Sequence, residues 1–164
     1  MHEKELFDIL HRMQIKTNTY EHEPAFAVQD AVELKSLIPG SFVKNLFLKD
    51  RNKKYWLVVA LFETKIQLKK LAKRLNAPEL RFASPEELEK ILKVQPGSVT
   101  PFALMHDTNH EVNVLLDKQI ELAEKIGIHP LRNTATTLIG PEDLKKFIAY
   151  CGNQMATINF SELI

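Results

Sequence analysis

The chain has 164 residues, 45% of them hydrophobic and 26% charged, with a formal net charge of +1. That length fits one domain over 1–164 with a sizeable core. The near-neutral charge excludes a protein that wraps long stretches of nucleic acid, so any such contact is expected to be local. No apolar run approaches the ~20 residues of a membrane span. The start, Met1-His2-Glu3-Lys4-Glu5, is polar and mixed in charge, unlike a signal peptide. Cys151 is the single cysteine, so no intrachain disulfide can form and a reducing cytoplasmic setting is expected, with no membrane partner.

Leu6, Ile9, Leu10 and Met13 fall at i, i+3, i+4 and i+7, which predicts an amphipathic helix over about 3–14. Thr17 to His22 alternates and reads as a short strand ended by Pro24. Val28, Ala31, Val32 and Lys35 suggest a second helix, stopped by Pro39-Gly40. Strands at 41–49 and 55–62 flank a polar link with Asp50 and Asn52, a hairpin pattern. The run Tyr55 to Phe62 is apolar almost throughout, as expected of a central strand covered on both faces.

Leu68, Leu71, Ala72 and Leu75 predict the next helix, with Lys65, Lys69, Lys73 and Arg74 along its other side. Ser84-Pro85-Glu86-Glu87 opens another: serine at the cap, proline at the first position, glutamate at the third. Gln95 to Pro101 is a loop bracketed by prolines. Strands are predicted at 112–116, 124–128, 135–139 and 155–160. A last helix starts at Gly140-Pro141, with Leu144, Phe147, Ile148 and Cys151 on its core face. Cys151 therefore reads as a packed thiol, not a nucleophile. The order predicts an α+β fold, with a mixed, mainly antiparallel sheet curled toward a barrel and helices around it.

The sequence lacks a phosphate-binding Gly-x-x-x-x-Gly-Lys loop, a Gly-x-Gly-x-x-Gly turn and a Gly-x-Ser-x-Gly elbow. His106 and His110 have i, i+4 spacing but no third ligand at a metalloenzyme spacing, so no metal or organic cofactor is expected. Three features remain. Lys44-Asn45 interrupts an apolar strand. An unpaired buried lysine costs several kcal/mol, so Lys44 either snorkels to solvent or faces a polar pocket. Gly97-Ser98-Val99-Thr100-Pro101 is either an ordinary turn or a place where backbone N–H groups approach a ligand. His129, at the end of an apolar strand, is a rim residue or part of a site.

Taken together, Tyr20-Glu21-His22-Glu23-Pro24-Ala25, Val43-Lys44-Asn45-Leu46-Phe47-Leu48, Gly97-Ser98-Val99-Thr100-Pro101-Phe102 and His129-Pro130 with Asn133-Thr134-Ala135-Thr136 resemble the YbaK-like, prolyl-tRNA-synthetase-associated editing domains. They look most like the free-standing branch that hydrolyses alanine mischarged on proline tRNA. The resemblance implies a trans-editing aminoacyl-tRNA deacylase acting on the tRNA 3′ acceptor end, with prolyl-tRNA synthetase as a second partner, and a monomer is expected. It implies that Lys44 binds the terminal phosphate or orients the ester, and that Gly97 and Ser98 offer N–H groups to the oxyanion. Asn45 and His129 would hydrogen-bond the aminoacyl or ribose end. Tyr20, Phe26 and Val28 would wall the pocket, with Thr100, Asn133 and Ala135 as further substrate contacts. Lys65, Lys69, Lys73 and Arg74 would meet acceptor-stem phosphates, or else form a solvated helix face. Two other readings stay open: a deacylase for mischarged cysteine or serine, and a non-catalytic module that binds tRNA ends or a synthetase.

Overall fold

Trp56 to Ala60 are five consecutive buried residues, and the sheet is built around them. The computed structural model describes residues 2–24 and 38–163. It begins with helix α1 (His2–Arg12) and strands β1 (Asn18–Glu21), β2 (Ser41–Lys49) and β3 (Tyr55–Leu61). Helix α2 (Leu68–Leu75), strand β4 (Arg81–Phe82) and helix α3 (Pro85–Ile91) follow. A 3-10 helix (Pro101–His106) leads to β5 (Val112–Asp117), and a second one (Lys118–Leu122) leads to β6 (Ile126–Ile128) and β7 (Ala135–Ile139). Helix α4 (Pro141–Cys151), strand β8 (Met155–Ile158) and a 3-10 turn (Phe160–Glu162) close the chain. The helix expected around Val28 to Lys35 lies outside the described residues.

The eight strands form one curled sheet in the order β1-β7-β6-β2-β3-β5-β8, with β4 beside β2. Four pairings are antiparallel (β1–β7, β2–β3, β2–β4, β6–β7) and three parallel (β2–β6, β3–β5, β5–β8). The fold is mixed α+β, as expected. β3 is central because its side chains fill cores on both faces. Leu57 and Val59 join Phe47, Phe102 and Phe147 in one, with α1, α3 and α4 packed over it. Trp56, Val58 and Ala60 join Leu48, Leu115 and Leu71 of α2 in the other. Phe102 and Phe147 meet edge-to-face at 5.4 Å, the geometry their ring quadrupoles favour.

The boundaries depart from expectation where local chemistry intervenes. β8 stops at Ile158 because Asn159 turns the chain, its Oδ1 accepting from the Ser161 N–H at 3.2 Å. Pro101 opens a 3-10 helix capped by Thr100, whose hydroxyl accepts from the Phe102 N–H at 3.3 Å. β4 has two residues, too few for any periodicity to show.

The capping box read from Ser84 is present. Glu87 N–H donates to Ser84 Oγ at 3.2 Å, and Ser84 N–H donates to Glu87 Oε1 at 2.9 Å. Glu87 Oε2 also accepts from Tyr55 Oη and from Lys49 Nζ, each at 2.6 Å. One carboxylate thus caps α3 and ties it to β2 and β3. Burial alone would raise its pKa, but Lys49, Ser84 and Tyr55 outweigh it and hold it down to about 2. Burial and the same carboxylate push Tyr55 up to about 12. Because the folded pKa lies below the ordinary 4.5, the stability Glu87 contributes is complete above that value and drains as pH falls toward 2. Denaturant midpoints measured from pH 6 to pH 2 should therefore fall less steeply in Glu87→Gln than in the native chain.

Candidate functional site

The site is built on the first half of β2 and the strands beside it. Ser41 and Phe42 of β2 pair in parallel with Ile126 and Gly127 of β6, and Gly127 sits opposite Leu138 of β7. A Cβ on Gly127 would stand 2.8 Å from Thr136 Cγ2 and 3.4 Å from Phe42 Cδ1. Phe42, Gly127 and Thr136 therefore share one face, and glycine is required there by the approach of Thr136. Strand alternation returns Lys44, two residues beyond Phe42, to this face.

His22 and His129 belong to the same face. His22 Nδ1–H donates to the Glu23 carbonyl at 2.7 Å, which leaves Nε2 to accept from the Thr136 hydroxyl at 2.8 Å. The His129 ring lies 6.5 Å from the His22 ring. His129 Nδ1 is 3.1 Å from the Ala135 carbonyl. A carbonyl only accepts, so Nδ1 carries the proton and Nε2 is a free acceptor in the neutral ring. Burial lowers the His129 pKa below the ordinary 6.5, and the nearby His22 adds to that while the Ala135 carbonyl opposes it. Tyr20, half exposed, stands opposite Thr136 across β1–β7.

Asn45 points to the other face of β2. Its Nδ2 donates to the Val99 carbonyl at 3.1 Å, pinning the loop that follows α3. Its Oδ1 is buried and has no hydrogen-bond partner among the described residues. An orphaned buried acceptor costs about 1–3 kcal/mol, and His106 Nε2 and Asn153 Oδ1 are orphaned in the same way. The loop itself is a turn: Gly97 has φ +91° after Pro96, and the Ser98 N–H donates to the Gln95 carbonyl at 3.0 Å.

A clamp holds the far side. The Arg132 guanidinium takes both carboxylate oxygens of Glu3 (3.0 and 3.1 Å) and both of Glu21 (2.6 and 2.8 Å), and donates to Thr134 Oγ1 at 2.9 Å. That ties α1 and β1 to the loop between His129 and β7, where Leu131 adopts φ +72°. The hydrogen bond from Arg132 lowers the pKa of Glu21, and both carboxylates raise that of Arg132. Arg132 carries no motif signal, because its partners are remote in sequence. His22 lies two residues beyond Tyr20, and its part in the site shows only once the fold brings Thr136 and His129 beside it.

The structure thus puts Lys44 and His129 on one face, while Asn45 meets the Gly97 loop on the other. Lys44 is half-buried and forms no hydrogen bond or ion pair among the described residues. Three expected contacts change. The Ser98 N–H is engaged inside the turn, whereas the Gly97 N–H has no acceptor among the described residues. Thr100 is 0% exposed and its hydroxyl caps the 3-10 helix, so it is structural. Ala135 is fully buried and serves through its carbonyl on His129, not through its side chain. Asn133 is half-buried in the clamped loop. Phe26 and Val28 lie outside the described residues. His106 Nδ1–H donates to the Leu92 carbonyl at 2.8 Å while His110 packs on Gly152, so the pair serves packing. Burial pushes the Cys151 thiol up to about 12, as befits a packed sulfur.

The chain matches the model of the aminoacyl-tRNA editing domain over residues 22–147. It is 38% identical over 147 residues to prolyl-tRNA synthetase associated domain-containing protein 1 of Danio rerio, covering 88% of this chain and 80% of that one. It is 34% identical over 150 residues to the prolyl-tRNA editing protein ProX of Acetoanaerobium sticklandii, covering 91% and 92%. Among solved structures it superposes on a candidate trans-editing enzyme for prolyl tRNA synthetase with a TM-score of 0.70 at 20% identity, covering 96% of each chain. That likeness speaks to the fold.

Two outcomes follow from the geometry. Arg132→Met should raise amide exchange across residues 129–135 at least about tenfold while leaving β3 protected, read by hydrogen exchange with mass spectrometry. The lowered His129 pKa means that the unfolded chain takes up the proton first, so the stability this neutral ring contributes is complete above 6.5 and drains below it. His129→Asn should therefore flatten the loss of stability between pH 7 and pH 5.

Proposed function

Because the chain belongs to the aminoacyl-tRNA editing domain family, we propose that it is a trans-editing deacylase that hydrolyses the ester of mischarged proline tRNA, with alanine as the residue released. The observation that carries this reading is Lys44, without an ion pair among the described residues, on the same sheet face as the His22–His129 pair. The unpaired Lys44 and the bare Nε2 of His129 suit the phosphate and ribose of the terminal adenosine.

The reaction needs little from the protein beyond position and charge. An aminoacyl ester is activated, and no nucleophile–base pair occurs at the site among the described residues, which fits direct attack by water. Water adds to the ester carbonyl, and the negative charge grows on its oxygen. The Lys44 ammonium, which shares its face of the sheet with His129, is the group offered to that charge. Collapse breaks the bond to the ribose oxygen, which takes up a proton and leaves free alanine and tRNA. The substrate's neighbouring ribose 2′-hydroxyl acts as the helper, oriented by His129 Nε2. Selection is steric: a pocket that admits alanine and excludes proline protects the correct product, as a second sieve does. Tyr20 is a wall residue in this scheme, and prolyl-tRNA synthetase is the expected companion.

Release of labelled amino acid from a panel of alanyl-, seryl-, cysteinyl- and prolyl-tRNA(Pro) tests the proposal. The native chain should release alanine fastest and spare proline. Lys44→Ala should slow alanine release by about a hundredfold or more. An unchanged rate in that variant removes Lys44 from the reaction, and faster release of serine or cysteine reassigns the substrate.

A further inference from the structure

We infer that the groove between α2 and the segment following β8 is a phosphate track for the base-paired acceptor stem of a tRNA. This rests on the deacylase reading above and extends it to a surface of its own. The parallel strands β3, β5 and β8 end together at Leu61, Asp117 and Ile158, and a crevice outside the carboxyl ends of parallel strands is a natural binding place. Two cavities lie there. One, of about 480 Å³, is lined in part by Thr64, Lys65, Gln67 and Lys70. The other, of about 510 Å³, is lined in part by Lys70, Lys73, Arg74 and Lys118. They share Lys70, Asn159 and Leu163, so they form one continuous trough.

Its lining is rich in cations: Lys65, Lys70, Lys73, Arg74 and Lys118 meet in it. Lys4, Lys49, Arg132, Lys145 and Lys146 all sit in ion pairs, whereas Lys65, Lys70, Lys73, Arg74 and Lys118 form none among the described residues. Lys73 and Arg74 lie in the last turn of α2, where cations suit the helix dipole, but Lys65, Lys70 and Lys118 lie outside that turn. Glu63 and Glu162 are the acids at the walls. Asp117 is buried, and its carboxylate takes the N–H groups of Leu61 and Gln119 and the Thr64 hydroxyl. The one aromatic lining residue, Phe160, is 5% exposed, so the trough offers cations and amides to a backbone and no platform for stacked bases. Lys69, expected to take part, lines neither cavity. The trough lies next in sequence to the site's strands: Phe62, beside the lining residue Glu63, donates its N–H to the Phe42 carbonyl at 3.0 Å, and Lys44 stands opposite Ala60. A stem held in it would direct its 3′ end to Lys44.

Fluorescence anisotropy with labelled, uncharged tRNA(Pro) at several salt concentrations tests this without any need for catalysis. In the triple variant Lys70→Glu, Lys73→Glu, Lys118→Glu, affinity should fall at least tenfold. The slope of log affinity against log salt should become shallower by about 2–3, at about 0.9 per lost phosphate contact. Circular dichroism and thermal melting verify that the variant is folded. The double variant Lys4→Glu, Lys146→Glu, on α1 and α4, should bind like the native chain. Unchanged affinity and slope in the triple variant, an equal loss in the double variant, or tighter native binding to a single-stranded oligonucleotide than to tRNA would each overturn the proposal. If the native chain hydrolyses nothing in the panel, the deacylase reading falls while the anisotropy result still decides the groove.

Discussion

A β-strand shows consecutive side chains to opposite faces, and the architecture hangs on how β2 uses that rule. Phe42, Lys44, Leu46 and Leu48 face one way, and Val43, Asn45, Phe47 and Lys49 the other. Along one row the strand passes from the polar site into the α2 core. Along the other it passes from the glycine loop into the main core and ends at the Glu87 carboxylate. β2 also joins the two halves of the sheet, pairing with β6 at its start and β4 at its end while β3 spans its length. A register slip of one residue would exchange Lys44 with Asn45 and drive the lysine toward the loop. Register and site are therefore set by the same contacts, chiefly the buried run of β3.

Charge is distributed with equal economy. Where cations serve the fold they meet carboxylates, as at Lys49–Glu87 and Arg132 with Glu3 and Glu21. These contacts join elements distant in sequence and are partly shielded from solvent, conditions under which charge-assisted hydrogen bonds gain strength. Five cations without ion pairs among the described residues, Lys65, Lys70, Lys73, Arg74 and Lys118, gather at one end of the sheet, on α2 and beside it. A net charge of +1 conceals this separation, and only the fold reveals it.

Much of the fold was legible because its signals are local. The hairpin of β2 and β3, the Ser84 cap and the apolar run of β3 all announce themselves within a few residues. The site was legible in its parts: Lys44 stood out as a charge in an apolar strand, and Gly97 as a hinge between prolines. What could not be read was which parts meet. Strand parity separates Lys44 from Asn45, but the parallel pairing that sets His129 beside this end of β2 has no signature in the sequence. Arg132 is the clearest case: its two carboxylate partners lie on α1 and β1, and neither pairing follows any spacing rule. The Thr100 and Ser98 roles failed for a related reason, since a motif shows which polar groups are present and not which are already bonded at home.

The reach of the Arg132 clamp bears on how the protein matures. Glu3 and Arg132 are separated by 129 positions, nearly the full length of the chain. A bond of that span closes only after most of the backbone has been made and collapsed, because the loop entropy must be overcome first. On a ribosome, α1 would emerge early and wait, its carboxylate unmatched, until the final third of the polypeptide arrived. The segment that carries His129 would then be fastened last. A nascent chain that stops short of β7 and β8 thus has neither the clamp nor the complete sheet, so that competence is a late event in the life of the molecule.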